Sequence, residues 1–158
     1  MSSGRVFGAS LKPAWSADKI HQFLEATQGD ILVYIINHDK DNNDLGELVE
    51  PHTHIYLEYE TPRKLSTIAN LLEVEANFIE IIRNKKGYLR YLTHKDDIDK
   101  FQYDNSEVLT NSSVSYDLRL LGASLSDKEI AEYILEGRGL DLLGIVPAGR
   151  LRTIQSLL

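Results

Sequence analysis

Along the first part of the chain, hydrophobic residues have first the spacing of a strand, then the spacing of a helix, and then again the pattern of a strand. Residues 6–11 have a weak strand pattern, and residues 16–27 carry apolar side chains three and four positions apart, which predicts a helix. Residues 31–36 are almost continuously apolar, as is typical of a strand in the middle of a sheet. The pattern therefore predicts a strand, a helix and a central strand in this order.

The next part of the chain contains two more strands and two more helices. Residues 51–59 have a strand pattern, and Thr61 followed by Pro62 predicts the first turn of a helix. Residues 77–82 predict a further strand, and residues 84–94 predict a helix. The order β-α-β-β-α-β, followed by a helix, predicts an α+β fold of the ferredoxin-like or RRM-like class, with an antiparallel sheet and helices on one face. The other face is expected to stay open for a ligand.

The last third of the chain predicts a separate helical segment. Residues 111–113 are small and polar, which indicates a linker. Residues 126–129 form a capping-box pattern ahead of apolar residues at helical spacing, and another helix is predicted from Pro147 onward. We therefore predict one domain over residues 1–115 and a small helical C-terminal appendage over residues 116–158. This appendage would be the start of a truncated C-terminal region.

Composition limits the chemistry and the location of the protein. The chain has 158 residues, of which 42% are hydrophobic and 26% charged, as in ordinary globular domains. It contains no cysteine, so disulfides and thiolate metal sites are excluded. The net charge of −7 argues against a protein that coats nucleic acid, but allows a local basic patch. The sequence has neither a membrane-length apolar run nor a signal-peptide pattern, so a cytoplasmic protein that does not contact the membrane is expected.

Histidines cluster around the second and third predicted strands. His52 and His54 are two positions apart on one strand, so their side chains share a face of the sheet. His38 and Asp41 follow the preceding strand, and a hairpin would bring them close to the histidine pair. Three imidazoles and a carboxylate can ligate a divalent ion such as Mn²⁺, Mg²⁺, Fe²⁺ or Zn²⁺. The alternative is an exposed polar face that happens to carry two histidines.

A basic segment with two tyrosines follows the fourth predicted strand. Between Glu80 and Asp96 every charged side chain is basic, and Tyr88 and Tyr91 lie on the predicted helix. A solvated helix face and two core tyrosines would explain this pattern without any function. Beside a metal site, however, a tyrosine hydroxyl is a candidate covalent nucleophile, and basic side chains can hold a phosphodiester strand.

Three ordered stretches of the chain resemble the motifs of a known protein family. Residues 38–41, 51–54 and 88–94 are similar to the motifs of rolling-circle plasmid replication initiators, which are HUH endonucleases named for their histidine–hydrophobic–histidine pair. The resemblance covers about residues 5–105. It implies an endonuclease, a hydrolase-type nickase, that cuts single-stranded origin DNA to start rolling-circle replication.

The resemblance also implies roles for individual residues. By its motifs, His38, Asp41, His52 and His54 would bind Mn²⁺ or Mg²⁺. Tyr91 would attack the DNA, which leaves a 5′-phosphotyrosyl link and a free 3′-OH.

The implied partners are single-stranded or hairpin origin DNA and host replication proteins such as a helicase and a polymerase. An oligomer formed through the C-terminal region is also implied. The residues expected to contact DNA are Lys85, Lys86, Tyr88, Arg90 and Lys95.

Three alternatives remain at the level of the sequence. A small HUH transposase-type nuclease has the same order of metal pair and tyrosine. Gly46, His52, His54 and Glu58 also fit the first motif of cupins, which are metal-binding β-barrels. A binding module of the same fold without catalysis would leave the tyrosines unused. One position departs from the family pattern, because Thr53 occupies the place of a bulky apolar residue.

Overall fold

The N-terminal part of the chain is built around an antiparallel sheet. The computed structural model describes residues 2–158, apart from the side chain of Ala123, and within this range five strands form one sheet. In spatial order they are β4 (Ile79–Ile81), β1 (Ser3–Leu11), β3 (His52–Lys64), β2 (Leu32–His38) and β5 (Leu109–Thr110). With helices α1 (Ala17–Thr27) and α2 (Leu65–Leu72), the first four strands have the ferredoxin-like order. The predicted fold class is confirmed, and the cupin alternative is wrong.

The hydrophobic core lies between the sheet and helices α1 and α2. Side chains alternate along each strand, so every second residue of β1, β2 and β3 faces these helices. As predicted, Ile55 and Leu57 belong to this core, and the histidines of β3 therefore point to the opposite face. The core also contains Phe7, Leu11, Ile20, Leu24, Val33, Ile35, Ile68 and Leu72.

The start of α1 is as predicted, whereas the start of α2 is not. The Ser16 hydroxyl accepts a hydrogen bond from the Lys19 N–H at 3.1 Å and caps α1. Strand β3 continues past Pro62, and α2 begins only at Leu65. The pairing between β1 and β3 shifts just before Arg63, so Pro62 falls in a bulge where no ladder N–H is needed. Pairing with β1 therefore overrides the local helix signal.

The second face of the sheet is covered in the region of the histidines. Helix α3 (Lys85–Tyr91) is shorter than predicted, and the chain turns after it. Tyr91 packs edge-on against His54, and Tyr103 stacks on His38. The expectation of an open face is therefore wrong at this place, because aromatic side chains that follow β4 bury the histidines.

The predicted linker at residues 111–113 begins with an anchored residue. The Asn111 side-chain oxygen accepts the Val33 N–H at 3.1 Å, and its amide nitrogen donates to the Ile31 carbonyl at 2.8 Å and to the Thr27 hydroxyl at 3.0 Å. These bonds tie the chain to β2 and to the end of α1. The chain divides into two compact units after Ser112.

The unit formed by Ser113–Leu158 is helical. Its helices are α4 (Tyr116–Ser124), α5 (Asp127–Leu135) and α6 (Ala148–Ser156). The capping box at the start of α5 and the helix after Pro147 are as predicted, whereas α4 was not predicted. The buried core of this unit consists of Leu125, Ile130, Leu142, Val146, Leu151 and Ile154. Between residues 2 and 158, no helix has the length and apolar character needed to cross a bilayer.

Asn111→Ala tests whether this side chain anchors the end of the first unit. The substitution leaves the backbone groups of Val33 and Ile31 without their partner, so the free energy of unfolding should fall by about 2 kcal/mol. Urea denaturation followed by circular dichroism measures this change. Ser113→Ala, at an exposed position two residues later, is the matched control and should change stability by less than about 0.5 kcal/mol. Equal stability of the two variants would contradict the anchoring role.

Candidate functional site

Strand pairing brings the predicted metal-ligating residues together. His38 ends β2 and His52 begins β3, and the two residues are direct partners in the antiparallel pairing. His54 shares their face of the sheet, and Asp41 lies in the loop after β2. One ligand atom from each of the four side chains lies within 4.8 Å of the others. This cluster could bind a metal.

Backbone carbonyl groups define which nitrogen of two imidazoles carries hydrogen. His38 Nε2 lies 2.7 Å from the Leu92 carbonyl oxygen, and His52 Nδ1 lies 2.9 Å from that of Glu50. A carbonyl oxygen only accepts, so each of these nitrogens donates. The other nitrogens, His38 Nδ1 and His52 Nε2, face Asp41 Oδ2 at 3.1 and 3.3 Å. In the neutral imidazoles these nitrogens are acceptors facing an acceptor, an arrangement that a cation would satisfy.

The third imidazole provides independent support for a cation site. His54 is only 5% exposed, and among the described residues its Nδ1 has no hydrogen-bond partner. Burial, followed by the neighbouring His38 and His52, lowers the pKa of His54 to about 3. The imidazole is therefore neutral near pH 7, which is the form that ligates metals. An unpaired buried nitrogen is unfavourable, and a bound ion would satisfy it.

The charge of the cluster also suits a divalent cation. Burial, the largest effect, lowers the pKa of His38, so this side chain is neutral as well. Burial opposes ionisation of Asp41, but the hydrogen bond from Tyr103 and the nearby histidines bring its pKa below the ordinary value. The site thus combines three imidazoles, of which those of His38 and His54 are neutral, with one carboxylate, a donor set that Mn²⁺ and related ions accept.

Two residues near the cluster were not selected by the sequence analysis. Tyr103 donates a hydrogen bond to Asp41 Oδ1 at 2.7 Å. His94 is 3% exposed, its Nδ1 donates to the Phe101 carbonyl at 2.8 Å, and its ring lies 4.6 Å from that of His38. Tyr103 lies in a polar stretch without periodicity, so no sequence signal indicated it. His94 follows Tyr91 by three residues, and this spacing was the available signal.

The two tyrosines of α3 have different surroundings. The Tyr91 ring lies 5.3 Å from that of His54, at 90°, and its side chain is 40% exposed. The Tyr88 hydroxyl donates to the Ile55 carbonyl at 3.3 Å, and its ring lies so close to Gly8 that a Cβ there would approach it to 2.4 Å. Burial raises the pKa of both hydroxyls. Tyr91 is thus the more accessible tyrosine, while Tyr88 is held against the sheet.

A cavity of about 730 Å³ adjoins the cluster. His54, Tyr88 and Tyr91 line it together with Gly8 and the segment around β4. The exposed Arg83 also lines it. A ligand in this cavity would contact one side chain of the candidate metal site and the exposed tyrosine at the same time.

Most of the predicted DNA-contacting cations have partners within the protein. Lys85 Nζ lies 3.5 Å from Glu58 Oε2, and the Arg90 guanidinium contacts the Asp96 carboxylate at 2.8 Å. The Lys95 ammonium donates to the Asn105 side chain. Lys86 is exposed. The basic run is therefore partly neutralised, and these cations would exchange carboxylate or amide partners for phosphate groups on binding a nucleic acid.

The threonine between the two histidines has a structural explanation. Thr53 is fully buried on the face opposite the histidines, and its hydroxyl accepts the Trp15 N–H at 2.8 Å and donates to Asn37. Asn37 in turn donates to the Trp15 carbonyl at 2.9 Å. This network attaches the segment after β1 to β2 and β3, which a bulky apolar side chain could not do.

Fold and site together define a ferredoxin-like domain whose histidine cluster could hold a metal beside an exposed tyrosine. Comparison with known families agrees with this class: the profile described as "Plasmid replication protein, origin binding domain" matches residues 3–118. The chain belongs to this family. The predicted resemblance to rolling-circle plasmid replication initiators is thereby confirmed.

Three curated relatives bear similar names. A "Replication protein" of Staphylococcus aureus is 31% identical over 105 residues, which are 63% of this chain and 52% of the relative. "Replication protein RepB" of Lactiplantibacillus plantarum is 35% identical over 96 residues, 60% of this chain and 43% of the relative. A "Replication protein" of Onion yellows phytoplasma (strain OY-M) is 31% identical over 106 residues, 59% of this chain and 28% of the relative. The chain thus spans about half or less of the length of these relatives.

The stability of the metal-free protein should decrease as the pH falls below about 6.5. The pKa of His54 is about 3 in the folded protein and 6.5 as its ordinary value, so the unfolded chain binds a proton that the folded chain excludes. The free energy of unfolding should therefore fall between pH 6.5 and pH 3, by up to about 1.4 kcal/mol per pH unit from this group. Burial also lowers the pKa of His38, so this side chain likewise reduces the free energy of unfolding as the pH falls.

Urea denaturation at pH 7.5, 6 and 5 in the presence of a chelator measures this dependence. His54→Gln should flatten it, whereas His21→Gln, at an exposed position of α1, should retain the wild-type dependence. A wild-type protein as stable at pH 5 as at pH 7.5 would contradict the burial of a neutral His54.

Proposed function

We propose that this chain is the origin-nicking domain of a rolling-circle replication initiator, an HUH endonuclease. In this proposal it binds single-stranded or hairpin origin DNA and cuts it by metal-assisted attack of Tyr91. One observation carries the proposal: the Tyr91 ring lies 5.3 Å from that of His54, and both residues line the same cavity. The family match supports a role in plasmid replication rather than in transposition.

His38, Asp41, His52 and His54 would hold the ion, Mn²⁺ or Mg²⁺. The mixed nitrogen and oxygen donors favour Mn²⁺, because Mg²⁺ is usually bound by oxygen alone. When bound, the ion supplies Lewis-acid polarisation of the scissile phosphate. The protein contributes fixed ligand orientation, since the Leu92 and Glu50 carbonyls hold the His38 and His52 rings.

Tyr91 is the proposed nucleophile. Its hydroxyl oxygen forms a bond to phosphorus and loses its proton, while the bond from phosphorus to the 3′ oxygen breaks and that oxygen takes up a proton. The products are a 5′-phosphotyrosyl link and a free 3′-OH that can prime synthesis. Tyr88 is less suited to this role, because its hydroxyl is already bonded to the Ile55 carbonyl and its ring is packed against Gly8.

The DNA strand would follow the cavity beside β4 and α3. Lys85, Lys86, Arg90 and Lys95 would contact phosphate groups, and the Tyr88 ring would support a base. Arg83 joins this set because it lines the cavity. Host helicase and polymerase are the proposed protein partners, and the C-terminal helical region is the proposed site of oligomer formation.

Tyr91→Phe should abolish covalent attachment to DNA while leaving DNA binding intact, because the change removes only the nucleophilic oxygen. The protein is incubated with Mn²⁺ and a random-sequence pool of single-stranded oligonucleotides labelled at the 3′ end. The 3′ fragment stays attached to the protein, so denaturing electrophoresis reports the adduct. Tyr88→Phe is the matched control and should still form it. An adduct mapped by mass spectrometry to Tyr88 would overturn the choice of nucleophile.

Asp41→Asn should weaken Mn²⁺ binding by about 100-fold or more, because it removes the only anionic ligand of the cluster. Titration of free Mn²⁺ followed by electron paramagnetic resonance measures the Kd. Asp39→Asn removes an equal charge two residues earlier from an exposed side chain and should leave the Kd close to the wild-type value. The reverse result would move the carboxylate ligand to Asp39.

A further inference from the structure

Tyr103 makes three contacts with the residues around the candidate metal site. Its hydroxyl donates to Asp41 Oδ1 at 2.7 Å and accepts the Lys40 N–H at 3.0 Å. Its ring stacks on that of His38, with the ring centres 4.3 Å apart and the planes at 8°. Tyr103 is only 3% exposed, although it lies 62 positions from Asp41 in the sequence. One side chain thus contacts two of the proposed ligands and the backbone between them.

The Asp41 carboxylate has different neighbours at its two oxygens. Oδ1 accepts the bond from Tyr103, whereas Oδ2 lies 3.1 Å from His38 Nδ1 and 3.3 Å from His52 Nε2. The hydroxyl therefore occupies one oxygen and leaves the other directed at the histidines. A carboxylate held in this way offers a single oxygen to an ion.

Asp41 needs such a constraint more than the three histidines do. His38, His52 and His54 are strand residues, so the pairing of β2 with β3 fixes their backbone. Asp41 lies in the loop after β2, where the side chains of Asp39 and Lys40 are exposed. The hydrogen bond from the Val49 N–H to the Asp41 carbonyl, at 2.8 Å, holds the loop backbone but does not orient the carboxylate.

The segment that carries Tyr103 is itself held in place. The Gln102 amide nitrogen donates to the His94 carbonyl at 2.7 Å and to the Asp97 carbonyl at 2.9 Å. His94 Nδ1 donates back to the Phe101 carbonyl. Leu92, just before this turn, accepts the hydrogen bond from His38 Nε2. The turn between α3 and β5 thus forms an outer layer that contacts the proposed ligands His38 and Asp41.

We infer that Tyr103 is a positioning residue for the metal site, which fixes Asp41 as a ligand through one oxygen. The inference rests on the metal site of the proposed function. It adds that metal affinity depends on a hydroxyl that does not touch the ion. A metal ligand in a loop is oriented by hydrogen bonds from outside the coordination shell, and loss of such a bond commonly reduces affinity by 10- to 100-fold.

Tyr103→Phe tests the inference, because phenylalanine retains the ring and its stacking on His38 and loses only the hydroxyl. The Kd for Mn²⁺ is measured by electron paramagnetic resonance on the full chain, with circular dichroism and the Tm recorded without metal. We expect the Kd to rise by about 10- to 100-fold. Two controls separate positioning from stability. Asn111→Ala destabilises the same unit away from the site, and Phe101→Leu alters a ring that contacts Tyr103. Both should keep the Kd within about twofold of wild type.

Wild-type affinity in Tyr103→Phe would overturn the inference while leaving the proposed metal site intact. An equal loss in Asn111→Ala would also overturn it, because the effect would then follow stability. If the wild-type chain binds no Mn²⁺, the proposed metal site fails and the inference fails with it.

If Tyr103→Phe does not fold, a second measurement uses 3-fluorotyrosine at position 103, which retains the hydroxyl. Its ¹⁹F resonance should shift on titration with Mg²⁺ in the otherwise wild-type chain, and this shift should be lost with Asp41→Asn. A resonance that does not respond to Mg²⁺, in a chain that binds Mg²⁺, would overturn the inference.

Discussion

The pairing of β2 with β3 is the constraint on which the site depends. It places His38 opposite His52 and Ile35 opposite Ile55, so one register determines both the histidine cluster and the core. A shift of one residue would turn the histidines into the core and the apolar residues away from it. The large free-energy loss of such a shift means that the hydrophobic core itself holds the imidazoles in place. The arrangement of the three imidazoles is thus a consequence of strand pairing, whereas Asp41 lies in the loop after β2.

The burial of the cluster explains its electrostatics. Imidazoles removed from water favour the neutral form, and this form can ligate a cation. Within the described part of the chain, the same burial leaves the His54 Nδ1 without a hydrogen-bond partner, and it sets acceptor atoms of His38 and Asp41 against each other. Without a bound cation these contacts are unfavourable, because a buried polar atom without a partner lowers stability. Metal binding and stability should therefore be coupled in this domain.

The three tyrosines that follow β4 near the histidine cluster differ in their surroundings. Tyr88 and Tyr103 have hydroxyls bonded to the protein, whereas Tyr91 is partly exposed beside His54. The three tyrosines are chemically identical, so only their surroundings distinguish them: Tyr88 packs against the sheet, Tyr103 is bonded to the Asp41 carboxylate, and the Tyr91 side chain is 40% exposed. Membership of the plasmid replication origin-binding family agrees with a site that faces a nucleic acid.

The sequence by itself determined the order of the first four strands and of the helices between them, the shared face of His52 and His54, and the family, because these follow from local periodicity and from motifs of adjacent residues. The sequence also indicated Tyr91 as the candidate nucleophile, although only through the family motif. The tertiary structure decided the extension of β3 past Pro62, the anchoring of Asn111, the burial of the histidine face and the contact of Tyr103 with Asp41. Each of these depends on groups far apart in the chain that meet only when the sheet forms. Local patterns contain no information about such pairings, since the hydrogen-bond partner lies up to 84 residues away.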